Sequence, residues 1–175
     1  LCYTVEGDCS SASYFWAAAA LTGGEVFTHP ISPGSSQGDC RLLQVLESMG
    51  CLIQWEDEGV RVTGPLSLKA VDLDMNRMPD MVPTLGVLAA FAQGRTCIRN
   101  VAHLRVKESD RLHTVATELS KLGVPVQELP DGLEIQGGRV CAPQTFLEAH
   151  DDHRIAMAFA LAGLRVEGVE IHGAE

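Results

Sequence analysis

The sequence lacks any apolar run near the roughly 20 residues needed to span a bilayer; its longest, around Phe15 to Leu21, is short and Ala-rich. It lacks a basic-plus-apolar leader with a small-residue cleavage site, and a cytoplasmic location is expected. Basic residues are few: 13 Lys and Arg stand against 23 Asp and Glu, a formal charge of −10. That balance argues against nucleic acid or an anionic membrane as the main partner. Any site for an anion must then be local, or be completed by another part of the protein. No two of Cys2, Cys9, Cys40, Cys51, Cys97 and Cys141 stand as C-x-x-C, against a zinc knuckle or thioredoxin-type motif. With no secretory signal they read as free thiols in a reducing compartment. An initiator Met is missing too. Residue 1 is Leu and the chain stops at Glu175, just after a strand-like run Val169-Glu170-Ile171-His172, so both ends read as cuts.

What is present is a repeat. Asp8, Asp80 and Asp152 are spaced by 72 and 72; Gly50 and Gly123 by 73, as are Gly64 and Gly137; Asp39 and Asp110 by 71; Gly24, Gly94 and Gly168 by 70 and 74. Internal periods of this kind mark repeated supersecondary units. Each unit opens with a short strand (Tyr3-Thr4-Val5; Ala70-Val71-Asp72-Leu73). An Asp follows, placed to cap a helix. The helices are expected at 10–22, 81–92 and 153–162, apolar nearly all round and therefore buried. Pro83 suits the first turn of the second, and a Gly ends each helix or follows closely.

A second strand comes next, Glu25 to Thr28 or Thr96 to Arg99. An amphipathic second helix follows. Its stripe is Leu42, Leu43, Val45, Leu46 and Met49 in unit one, and Leu112, Val115, Ala116, Leu119 and Leu122 in unit two, the spacing of one buried face. Hairpins then pair Leu52–Trp55 with Val60–Thr63 and Val124–Leu129 with Leu133–Gln136. The order is β-α-β-α-β-β, in units of about 1–66, 67–140 and 141–175. The last unit is truncated to an Asp, a helix and one strand. Strands are expected outside and apolar helices inside.

Three clusters carry ionisable groups, and a fourth segment is weaker. Arg105-Val106-Lys107-Glu108-Ser109-Asp110-Arg111 leads into the second helix of unit two. It reads either as a solvated, capped loop or as an anion site, because Arg111 in a first helical turn opposes the dipole unless an anion is near. His150-Asp151-Asp152-His153-Arg154 stands before the third apolar helix, as a cap with exposed neighbours or as a site. Metal binding by His150, Asp151 and His153 is the weakest reading, since three ligands so close in sequence rarely surround one ion. In Asp74-Met75-Asn76-Arg77-Met78-Pro79-Asp80, the last residue reads equally as N-cap and as general base. Gly7-Asp8-Cys9-Ser10-Ser11-Ala12-Ser13 lacks a Walker pattern and reads as capping plus close packing. All of these sit at helix N-termini. Parallel packing of the units would therefore gather Asp80, Lys107, Glu108, Arg111, His153 and Arg154 on one face.

These strings resemble the EPSP synthase family nearly end to end. The resemblance is carried by Val5-Glu6-Gly7-Asp8-Cys9-Ser10-Ser11-Ala12-Ser13-Tyr14-Phe15, Gln37-Gly38-Asp39, Met75-Asn76-Arg77-Met78-Pro79-Asp80, Leu104 to Arg111, and Asp151-Asp152-His153-Arg154-Ile155-Ala156-Met157-Ala158. It implies an inside-out α/β barrel domain of repeated β-α-β-α-β-β units with buried helices, here a single domain over 1–175, the C-terminal-half domain of a two-domain enzyme. It implies enolpyruvyl transfer from phosphoenolpyruvate to the 5-hydroxyl of shikimate 3-phosphate in aromatic amino-acid biosynthesis, with no metal or organic cofactor. By the same resemblance Asp80 binds the 5-hydroxyl and accepts its proton, and Lys107 touches the shikimate substrate and moves protons with Glu108. Arg111 and Arg154 clamp phosphoenolpyruvate, as guanidinium forks suit, and His153 lines that site. His103 stands where some members have an Asn near the shikimate substrate. The family's Lys in a further C-terminal segment, and the Lys-Ser and Ser-Ser-Gln elements of the other domain, are absent, so this chain alone is expected to be inactive.

Two other readings stay open. The sister enolpyruvyl transferase acting on UDP-N-acetylglucosamine shares the fold but lacks the R-V-K-E-x-D-R and D-D-H-R-x-A-M-A pair. A non-catalytic repeat module would not need Lys107, Glu108 and Arg111 together.

Overall fold

The computed structural model describes residues 5–138, 140–141 and 145–174. Its elements run α1 (Cys9–Thr22), β1 (Glu25–Thr28), α2 (Leu42–Ser48), β2 (Leu52–Glu56), β3 (Gly59–Thr63), β4 (Asp72–Asp74), α3 (Val82–Phe91), β5 (Arg95–Arg99), α4 (Arg111–Lys121), β6 (Val126–Leu129), β7 (Gly132–Gln136), β8 (Thr145–Glu148), α5 (His153–Ala160) and β9 (Val169–His172). Short 3-10 turns lead into α2 (Gly38–Arg41), α3 (Pro79–Met81) and α4 (Ala102–Val106), and one follows α5 (Leu161–Leu164). Tyr3 and Thr4 of the expected first strand lie outside the described residues.

The strands form three sheets, ordered β1-β3-β2, β4-β5-β7-β6 and β8-β9. In the second, β4 and β5 run parallel on either side of α3 in sequence, and the β6–β7 hairpin returns antiparallel to β5. The first sheet repeats that return, with β3 antiparallel to both β1 and β2. The third pairs β8 and β9 in parallel across α5. This gives unit three one strand more than expected. Thr145 to Glu148 buries only Leu147, which left little alternation to read. Among the described residues the sheets do not join into a closed barrel.

The helices form the interior. α3 has no charged residue and buries everything from Val82 to Ala90; each Leu or Val so buried stabilises by about 1.5–3 kcal/mol. α1, α4 and α5 all pack against it. The expectation of three all-round apolar helices holds for α3 and needs correction for the others. α1 exposes Phe15, and α5 buries only Ile155, Ala158 and Phe159 while exposing Met157. α5 is thus amphipathic, with one face on α3 and the other open.

Two thiols depart from expectation. Cys9 opens α1, Cys40 sits in the turn before α2, their Cα atoms are 5.3 Å apart, and their sulfurs are joined. Cys51, Cys97 and Cys141 are free, and burial pushes the Cys51 thiol up to about 11. No helix among the described residues is long and apolar enough to cross a membrane.

Candidate active site

The three aspartates that share the 72-residue period meet three local fates. Asp8 caps α1 by accepting from the Ser10 N–H at 2.9 Å, and Ser11 Oγ donates to it at 2.6 Å. Asp152 caps α5 by accepting from the Arg154 N–H at 3.0 Å. Asp80 caps nothing. The N–H two residues on, Val82, is taken by the Pro79 carbonyl, and three residues on stands Pro83, which has no N–H to give. The open choice between cap and reactive carboxylate is settled against the cap, and the Asp80 side chain is left free to face other elements.

It faces three cations. Arg111 Nη1 lies 2.9 Å from Asp80 Oδ1, Arg154 Nη2 lies 3.1 Å from Oδ2, and Lys107 Nζ lies 3.9 Å from Oδ1. The guanidinium groups of Arg111, on the first turn of α4, and Arg154, on the first turn of α5, therefore open onto one carboxylate. The expected convergence of helix N-termini is what brings them there.

Arg111 is the centre of this network and is 1% exposed. Beyond Asp80, its Nε donates to Asp152 Oδ2 at 2.7 Å and its Nη2 to Glu108 Oε2 at 2.8 Å. Burial opposes the charge, but the hydrogen bond and charge of Asp152, with Glu108 and Asp80 behind it, hold the guanidinium above its ordinary range. A cation in a first helical turn thus does find anions nearby, and they are the protein's own. Burial likewise works against an ionised Asp152. Arg111, the Arg154 N–H and Ser109 Oγ outweigh it and hold the carboxyl below its usual value.

The remaining residues divide. Glu108 and Lys107 are partly exposed at the rim. The side chains of His103 and His153 are exposed and make no hydrogen bond or ion pair among the described residues. Arg105 fastens the loop from behind, donating to the Pro130 and Leu129 carbonyls and pairing with Asp110 and Glu128. Asp110 caps α4. His150 is engaged by Glu118, and among the described residues no three His, Cys, Asp or Glu side chains come together as a metal site. Gly7 and Gln37 close the front of α1 as packing: Gln37 bridges the Cys9 N–H and the Gly7 carbonyl, at 2.9 and 2.7 Å.

Two residues escaped the sequence reading. Asp152 reads as a cap, and nothing in its neighbourhood shows that Arg111, 41 positions away, is its partner. Tyr14, half-buried on α1, has its phenol pushed up by burial against the pull of the nearby Arg154 charge; only its place in the family string pointed to it. Cavities of about 510 and 560 Å³ flank α2, and neither is lined by Asp80, Lys107, Arg111 or Arg154. The charged cluster is not enclosed by them.

A sequence model of EPSP synthase (3-phosphoshikimate 1-carboxyvinyltransferase) matches residues 1–175. The 3-phosphoshikimate 1-carboxyvinyltransferase of Syntrophobacter fumaroxidans is 69% identical over 173 residues, 99% of this chain and 41% of that protein. That of Nostoc punctiforme is 50% identical over 169 residues, 97% of this chain and 39% of that protein. The EPSP synthase structure from Acinetobacter baumannii superimposes with a TM-score of 0.80 at 31% identity, covering 97% of this chain and 42% of that one. The enolpyruvyl transferase NikO of Streptomyces tendae shares the fold, at a TM-score of 0.77 and 24% identity. The chain thus spans roughly two-fifths of the curated relatives it matches, at 41% and 39% of their lengths. With the family model covering it end to end, the chain belongs to the EPSP synthase family.

Proposed function

We propose that this chain is the C-terminal-half domain of a 3-phosphoshikimate 1-carboxyvinyltransferase, built from repeat units at about 1–66, 67–140 and 141–175. It would supply one wall of the site that transfers the enolpyruvyl group of phosphoenolpyruvate to the 5-hydroxyl of shikimate 3-phosphate. The observation that carries this is the single carboxylate, Asp80, held within 2.9 to 3.9 Å of Arg111, Arg154 and Lys107.

The chemistry asks for such an arrangement. Addition of the hydroxyl to the enol double bond removes a proton from oxygen and delivers one to the methylene carbon, giving a tetrahedral intermediate. Loss of phosphate then needs a proton taken back from the methyl group. Asp80 accepts the hydroxyl proton; Lys107 and Glu108, flexible and at the rim, carry the others. Arg154 and Arg111 clamp the carboxylate and phosphate of phosphoenolpyruvate, for which planar guanidinium forks are suited. Arg111 is reached when Glu108, whose side chain is 51% exposed, turns outward. His103 and His153, free on the surface of this half, line the shikimate and phosphoenolpyruvate subsites. The reading calls for neither metal nor organic cofactor. The rest of the polypeptide is the other partner.

The test is phosphate release by the full-length protein supplied with both substrates. Asp80→Asn keeps the shape and removes the base, and kcat is expected to fall about 10² to 10⁴-fold. Turnover by Asp80→Asn within a few-fold of the parent would sink the proposal. Turnover only with UDP-N-acetylglucosamine in place of shikimate 3-phosphate would select the sister activity.

A further inference from the structure

Three charged side chains are fully buried among the described residues: Arg111, Asp152 and Glu118. Two belong to the network around Asp80. The third, Glu118, lies two turns along the same helix, α4, and touches neither substrate-facing cation. Its 0% exposed carboxylate accepts four hydrogen bonds. Lys121 Nζ reaches both oxygens at 2.9 and 2.8 Å, the Glu148 N–H reaches Oε2 at 3.0 Å, and His150 Nε2 meets Oε1 at 2.8 Å. The pair with Lys121 alone is an ordinary surface contact that needs no burial. The contacts with 148 and 150 are what draw the carboxylate inward, and a buried carboxylate persists only where such partners compensate its lost hydration.

Those partners lie just before the site. His150 and Asp151 have φ of 54° and 56°, a conformation side chains rarely adopt and one that surrounding contacts must hold. The next residue is Asp152, which caps α5 and pairs with Arg111; two further on, Arg154 points at Asp80. α4 thus grips the segment 148–154 at two points. Arg111 holds Asp152 at one end of the tight turn and Glu118 holds Glu148 and His150 at the other. With only the first grip, the strained turn could relax and α5 could rotate about its cap.

We propose that Glu118 is a positioning residue, its buried carboxylate pinning the 148–150 turn to α4 so that Arg154 is aimed at Asp80. This rests on the reading of Arg154 as part of the phosphoenolpyruvate clamp and adds the element that holds it in place. Glu118 touches neither substrate. Its loss acts first on the phosphoenolpyruvate subsite, because Lys107 and His103 sit on other segments and Asp80, though it loses Arg154, keeps Arg111 as its partner.

The experiment compares Glu118→Ala, Glu118→Gln and Arg154→Ala in the full-length protein, with KM for each substrate, kcat and the urea midpoint measured for all. Glu118→Ala is expected to raise KM for phosphoenolpyruvate about tenfold, as small misplacements of a clamp do, while KM for shikimate 3-phosphate stays put. Glu118→Gln retains an acceptor for the Glu148 N–H but turns an amide N–H toward His150, which must then accept through its other tautomer, and should restore part of the loss. Unchanged KM in Glu118→Ala, or a fall in kcat alone that follows the folded fraction, would overturn the proposal. Should Glu118→Ala fail to fold, His150→Ala removes a half-exposed partner and carries the test. A rise of about threefold to fivefold in the same KM supports the strut, in line with one lost hydrogen bond, and no rise overturns it. If Arg154→Ala itself leaves KM for phosphoenolpyruvate unchanged, the clamp reading fails and takes this inference with it. If Arg154→Ala is impaired and Glu118→Ala is not, only the inference fails.

Discussion

Arg111 holds a positive charge with 1% of its surface in water, and what makes that tolerable is Asp152, itself 1% exposed. Removing one member of such a pair leaves an uncompensated buried charge, which costs about 3–5 kcal/mol; Asp80 and Glu108 retain part of the compensation here, so about 3 kcal/mol is expected for Asp152→Asn. The pH dependence has a definite sign. The folded carboxyl lies below its ordinary 3.8, so its contribution is complete above that value. It is lost as the pH falls through the lower folded value. Urea midpoints from pH 7 to pH 3 should show Asp152→Asn with a lower plateau and a flatter acid limb; parallel acid limbs would rule this out. At this scale the sequence marked Asp80, Lys107, Glu108, Arg111 and Arg154 by motif. It could not separate a capping Asp from a buried counter-ion, because both look alike locally, nor distinguish Glu118 from any i,i+3 partner of Lys121. The one role decided by local chemistry, Asp80 freed from capping, followed from Pro79 and Pro83 and was within reach of the sequence.

The second helices were legible as elements because their apolar stripes repeat at helical spacing. Every residue of the two stripes is buried, from Leu42 to Met49 along α2 and its cap and from Leu112 to Leu122 along α4 and its cap. What periodicity cannot give is how closely two helices approach. Gly86 is a point of close approach between α3 and α4: a Cβ there would meet Val115 Cγ1 at 2.8 Å. Asp80 leads into α3 and Arg111 opens α4, so this approach helps set the distance between them. Gly86→Ala gains about 1 kcal/mol of helix propensity against about 1–3 kcal/mol of overpacking on a stiff β-branched side chain. A net loss near 1 kcal/mol is expected. Val115→Ala should relieve it, so that the double variant in a urea double-mutant cycle is less destabilised than the two singles added together, by about 1 kcal/mol. Strict additivity would show that the helices do not meet at this glycine. α5 differs from expectation at the same scale. Its run from Ile155 to Ala162 is apolar by composition, and only the structure shows that a single face of it has a helix to pack against.

Across the whole molecule, the ionisable clusters at helix N-termini predicted which ends of the helices would meet, and α4 and α5 packing against α3 brings Asp80, Arg111 and Arg154 onto a shared face. In the proposed reading that face is one wall of the site. The cavities of about 510 and 560 Å³ lie elsewhere, and Lys107 and Glu108 remain 38% and 51% exposed. Charges in contact with bulk water interact far more weakly than in an enclosed site, and stabilising a reacting anion depends on fixed donors from which water is excluded. These 175 residues, carrying −10, would also repel the two anionic substrates of the proposed reaction unless the site is closed around local cations. The 175-residue chain by itself is therefore expected to release no phosphate above background from phosphoenolpyruvate and shikimate 3-phosphate, and addition of the separately expressed remainder of the polypeptide should restore turnover. Sustained turnover by this chain alone would mean that the wall suffices, and that the enclosure argued for here is not what the chemistry requires.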